Sequence, residues 1–155
     1  MTTLLSRMTG RQPAREVFGV YDRAGRCLYM HHGDSPALVD GGRAAWCAIW
    51  DNQEVVHDVA HTHPCGPHTF SAIDESSMAA IATGLGRPVR FWVLSPRWTV
   101  LRVVEPLAPV DRRDIRYDPG ADNEPLWAAR LRWESRMRTA PPPGRFSKMM
   151  ERIFR

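Results

Sequence analysis

The chain has 155 residues, 43% of them apolar and 25% charged, enough to bury one core without disulfide or metal staples and typical of a globular protein. It contains no apolar run of membrane-spanning length, which excludes a helical membrane span. The net charge of +4 is uneven: residues 1–110 hold ten Lys and Arg against ten Asp and Glu, and residues 111–155 hold eleven against seven. The basic excess of the tail reads as a solvated face, so neither nucleic acid nor membrane is expected as a partner.

The N-terminal MTTLLSRMTG lacks the long apolar stretch of a secretory signal, which predicts a cytoplasmic protein. Cys27, Cys47 and Cys65 are odd in number and lack CxxC spacing, which predicts buried free thiols in a reducing compartment.

In chain order, residues 1–14 read as a short polar arm. EVFGVYD (16–22) and CLYMHH (27–32) flank the turn Arg23 to Arg26 and form a hairpin signal. RAAWCAIW (43–50) fits a buried helix, VVHDVAH (55–61) a strand, and a helix from Ser71 runs to Gly84 or Gly86. VRFWVLS (89–95) and WTVLRVVE (98–105), separated by Pro96 and Arg97, form a second hairpin. The order β-β-α-β-α-β-β predicts an α/β fold, a mixed β-sheet flanked by helices, over residues 15–110.

Residues 111–155 read as a basic, Pro- and Arg-rich extension with two short helices. The first, LWAARLRWESRM, places Leu126, Ala129, Trp133 and Met137 on one stripe, with Asp122 or Asn123 as cap and Pro125 in the first turn. TAPPPG (139–144) is a stiff linker, and RFSKMMERIFR is a small amphipathic helix.

The chemistry concentrates in HTHPCGPHTFSAID, from His61 to Asp74. Residues two apart on a strand share a face, so His61 and His63 can aim both imidazoles at one ion. Ser71 and Asp74, three apart, share a face at a helix start. Two imidazoles and one carboxylate leave a fourth tetrahedral position open, the ligand set of a catalytic zinc site. Two blander readings compete: S-x-x-D at a helix start is close to a capping box, and an H-x-H pair can be structural. His57 shares the face of His61 about 13 Å away by strand rise and fits a supporting role. His68, in the loop, is a candidate substrate contact, and Cys65 a passive thiol.

H-x-H-x7-S-x2-D, matched by His61, His63, Ser71 and Asp74, resembles the JAMM motif of the JAB/MPN metalloprotease superfamily. The resemblance spans about residues 15–105 and implies a JAB/MPN, cytidine-deaminase-like fold binding Zn²⁺. It also implies a catalytic glutamate on an early strand, which Glu16 of the E-x-x-G segment Glu16 to Gly19 matches; Glu54 lies about 23 Å from His61 by strand rise. Glu16 is then the general base and Ser71 the oxyanion donor. By the same resemblance the activity is removal of a ubiquitin-like protein from its conjugates, or processing of its precursor. The expected partners are that protein and the activating and conjugating enzymes of a bacterial operon, some of which serve phage defence. Arg15 to Asp22 and the histidine loop also resemble the RadC-like, DNA-repair-associated family, although Thr62 stands where that family usually has Asn. A non-catalytic MPN scaffold is the third possibility.

Overall fold

A computed structural model describes residues 13–37, 42–109 and 111–138. Nearly all of the expected arm, the proline linker and the terminal amphipathic helix lie outside the described residues.

The elements are β1 (Val17–Asp22), β2 (Cys27–His32), α1 (Gly42–Asp51), β3 (Val56–Thr62), α2 (Ala72–Leu85), β4 (Val89–Leu94), β5 (Thr99–Val104), β6 (Ile115–Tyr117) and α3 (Leu126–Ser135). The strands form one six-stranded sheet in the order β2-β1-β3-β4-β5-β6, mixed because β3 and β4 are parallel while the other neighbours are antiparallel. A parallel pair needs a crossover, and α2 supplies it.

Strand alternation divides the apolar residues between two faces. On one, Val20, Val59, Phe91 and Val100 pack against Ile49 of α1 and Met78, Ile81 and Ala82 of α2. On the other, Val17, Tyr21, Ala60, Trp92 and Leu101 pack against Trp127, Ala128 and Leu131 of α3. The sheet is thus the middle of three layers, which is why the central β4 reads as the near-continuous apolar run VRFWVL.

Four expectations are corrected. Residues 111–138 are not an appendage: β6 joins the sheet on β5, and α3 makes the third layer. The stripe assigned to α3 faces the wrong way, with Leu126 96% and Trp133 76% exposed, while Trp127, Ala128, Leu131, Arg132 and Ser135 are buried. This helix is apolar on both sides, so periodicity cannot choose. The choice is made by Trp127 stacking on Tyr21 at 4.4 Å and by Arg132 pairing with Glu124 at 2.6 Å. Neither Asp122 nor Asn123 caps α3, whose cap position holds Pro125 without a side-chain hydrogen bond. The three cysteines are free as expected, but exposed.

Helix α2 ends at Gly86, whose φ of 64° is the left-handed conformation glycine adopts without strain. Gly84 lies inside the helix, where the Trp50 indole of α1 occupies the space a side chain would need.

Leu131→Ala should cost about 2–5 kcal/mol in denaturant unfolding, as a cavity in the core. Trp133→Ala should stay within about 0.5 kcal/mol. The reverse ranking would put the exposed stripe back in the core.

Candidate metal centre

β3, a central strand, carries His61 near its C-terminal end, and the ladder continues one residue further because the His63 N–H donates to the Leu94 carbonyl at 2.8 Å. Between the histidines, Thr62 faces the opposite way and its hydroxyl accepts the Val17 N–H at 2.9 Å. The imidazoles therefore share the face covered by α1 and α2. Across from them α2 begins with a complete capping box: Ser71 Oγ accepts the Asp74 N–H at 3.2 Å, and Asp74 Oδ2 accepts the Ser71 N–H at 2.6 Å.

The same carboxylate meets both histidines. His61 Nε2 lies 3.2 Å from Asp74 Oδ1, His63 Nε2 lies 3.5 Å from Oδ2, and the two Nε2 atoms are 2.9 Å apart. Donors at about 2.0–2.2 Å from one tetrahedral ion stand roughly 3.3 Å from each other, so the spacing fits a single ion. Among the described residues this is the one group of three such side chains arranged to hold a metal.

The protonation states of His63 and Asp74 suit ligation. His63 Nδ1 is 2.9 Å from the Pro67 carbonyl, which places the proton there and leaves Nε2 its lone pair. Burial, and then the charge of His61, hold the His63 imidazolium below the usual histidine range. Burial pushes the Asp74 carboxyl up, but the hydrogen bond and charge of His61 and the hydrogen bonds of Ser71 outweigh it. The net result lies well below the usual carboxylate range. A neutral imidazole and an ionised carboxylate are the forms that bind metal.

Glu16 reaches the site through strand pairing. β1 and β3 are antiparallel with Phe18 opposite His61, and the same register carried two residues further sets Glu16 opposite His63, on the same face. Glu16 is buried, and hydrogen bonds hold its backbone on both sides: its N–H donates to the Ser35 carbonyl and its carbonyl accepts the Gly33 N–H, each at 2.8 Å. The preceding Arg15 is tied to the end of α3, where the Ser135 hydroxyl donates to its carbonyl at 2.6 Å. Glu16, His61, His63, Ser71 and Asp74 line one cavity of about 590 Å³. Ser71 Oγ spends a lone pair on the Asp74 N–H, which leaves its own O–H as a donor.

The other candidates lie elsewhere. His68 is exposed and its Nδ1 is 3.1 Å from Ser95 Oγ at the end of β4; it is not among the residues lining the cavity. Cys65 is exposed and outside the ligand group. His57 Nδ1 is 3.0 Å from Asp58 Oδ2, and Glu54 is exposed in the turn before β3.

Arg102 is the residue that pattern reading missed. Buried on β5, it grips Asp114 through Nε at 2.6 Å and Nη2 at 3.0 Å, and Glu75 of α2 through Nη1 at 2.7 Å. Its guanidinium sits 4.8 Å from the centre of the Phe70 ring, which is itself 6.2 Å from that of His61. Asp114 also accepts the Thr69 hydroxyl at 3.1 Å. Arg102 thus pins the end of the histidine loop and the first turn of α2 to the sheet. The available signal was one arginine inside the apolar strand TVLRVV, since a buried charge requires partners.

Comparison with protein-family models, with curated proteins and with solved structures returned no match.

Metal analysis should find one transition-metal ion per chain, lost in His63→Ala. In the metal-free protein the depressed values mean that the unfolded chain takes up protons first on acidification. The stability contributed by His63 should therefore be present above about pH 6.5 and decline below it. Added Zn²⁺ should raise the melting temperature more at pH 7.5 than at pH 5.5, and a shift equal at both would argue against histidine ligation.

Proposed function

We propose that the chain is a zinc-dependent amide hydrolase of the JAB/MPN kind, acting as an isopeptidase or precursor protease on a ubiquitin-like protein. The observation that carries this reading is the convergence of three ligands, a buried glutamate and a hydroxyl donor on one cavity. The mixed sheet, with ligands at the end of β3 and in the first turn of α2, agrees with the JAMM arrangement that the motif resembles.

His61, His63 and Asp74 would hold the ion, and three protein ligands would leave room for a water or substrate oxygen. When bound, zinc supplies Lewis acidity, which makes water a nucleophile near neutral pH and polarises the scissile carbonyl. The Glu16 carboxylate takes the proton that the attacking water loses and delivers it to the leaving nitrogen. The Ser71 hydroxyl donates to the carbonyl oxygen as it gains charge. Water and one amide become one carboxylate and one amine. The ubiquitin-like substrate is the part of this reading supported by the motif's resemblance alone.

The test is chelator-sensitive cleavage of a ubiquitin-like fusion. Glu16→Gln should keep its metal and lose roughly 10²–10⁴-fold in turnover. Ser71→Ala should lose about 10²-fold and, as a lost cap, about 0.5–2 kcal/mol of stability. Full activity in the Glu16→Gln protein would remove Glu16 from the mechanism.

A further inference from the structure

The cavity at the ligand cluster extends well beyond it. Along β3, Val59 lies four residues before His63, about 13 Å by strand rise. Along α2, Ile81 lies seven residues after Asp74, about 10 Å by helical rise. Both line the same space, so the cavity recedes from the ligands between the sheet and the two helices above it. Its deep walls are Ala45, Ile49, Val59, Met78, Ile81 and Phe91, all buried and all apolar. Glu16 and Ser71 lie beside the ligands, and Ile73, 73% exposed, stands at the rim.

The space is a cleft partly open to solvent, and its volume of about 590 Å³ falls within the range of about 300–1,000 Å³ that accommodates ligands. Apolar walls select an apolar occupant.

We infer that this cavity is a specificity pocket for a bulky apolar group, an aromatic or branched aliphatic side chain of the substrate carried next to the bond that is cut. The inference rests on the hydrolase reading and sharpens it. A substrate with only glycine beside the scissile amide leaves the pocket unfilled, whereas an apolar residue there buries its side chain as the carbonyl reaches the ligands.

The test uses metal-loaded protein and two hydroxamates with the same chelating head, acetohydroxamic acid and 3-phenylpropionohydroxamic acid, titrated by calorimetry. The arylalkyl probe should bind roughly ten-fold tighter or better, as expected for burying its tail. Ala45→Phe, which fills the pocket, should bring the ratio of the two affinities to within about two-fold. Met78→Trp replaces it if Ala45→Phe does not melt cooperatively. Equal affinities in the unsubstituted protein would overturn the pocket. A ratio that survives both substitutions would overturn the placement. Failure of both probes to bind the loaded protein would instead remove the open metal position, and the hydrolase reading with it.

Discussion

The Asp74 carboxylate stands between the first turn of α2 and the end of β3, one oxygen accepting the Ser71 N–H at 2.6 Å and the other facing His61 Nε2 at 3.2 Å. Capping and metal ligation are usually weighed as alternatives for a residue in this position, and here the first orients the carboxylate for the second. The capping bond fixes the rotamer that aims the second oxygen at the imidazole. The positive end of the helix dipole favours the ionised carboxylate that ligation needs. If α2 began one residue later the carboxylate would turn away from both histidines, because a helix advances about 100° per residue.

The remaining architecture keeps that turn in place against the sheet. Antiparallel pairing puts the start of β1 beside the end of β3, so Glu16, distant in sequence, lines the same cavity as His63. Parallel pairing with β4 continues the ladder through His63, and the crossover it demands is the helix that carries Asp74. Arg102 connects this helix through Glu75, the histidine loop through Phe70, and the segment before β6 through Asp114. A buried guanidinium with three partners is costly to desolvate and worse to strip of any one of them, so it fixes geometry more than it adds stability. The third layer contributes too, since the end of α3 anchors the backbone next to Glu16.

Much of this was legible because it is local. The spacing of His61 and His63, the Ser71–Asp74 box and the β-β-α-β-α-β-β order follow from periods and caps that act within a few residues. What was illegible depends on tertiary choice. Helix α3 has apolar residues on both sides, and only the stack of Trp127 on Tyr21 and the Arg132–Glu124 pair decide which side is buried. The three-residue β6 is an edge strand with a half-exposed Ile115, too short and polar to stand out from its Arg-rich surroundings. The role of Arg102 was hidden because its partners come from two other segments. The cavity has no sequence signature, since its walls are the same apolar residues that form an ordinary core.

His61, His63 and Asp74 are placed to hold one metal ion, which we propose is zinc. Anomalous diffraction at the zinc edge, on crystals of protein purified without added metal, tests it most directly. One peak per chain is expected, about 2.0–2.2 Å from His61 Nε2, His63 Nε2 and an Asp74 carboxylate oxygen. No peak at this position, or a zinc bound instead through the Cys65 thiolate, would contradict it.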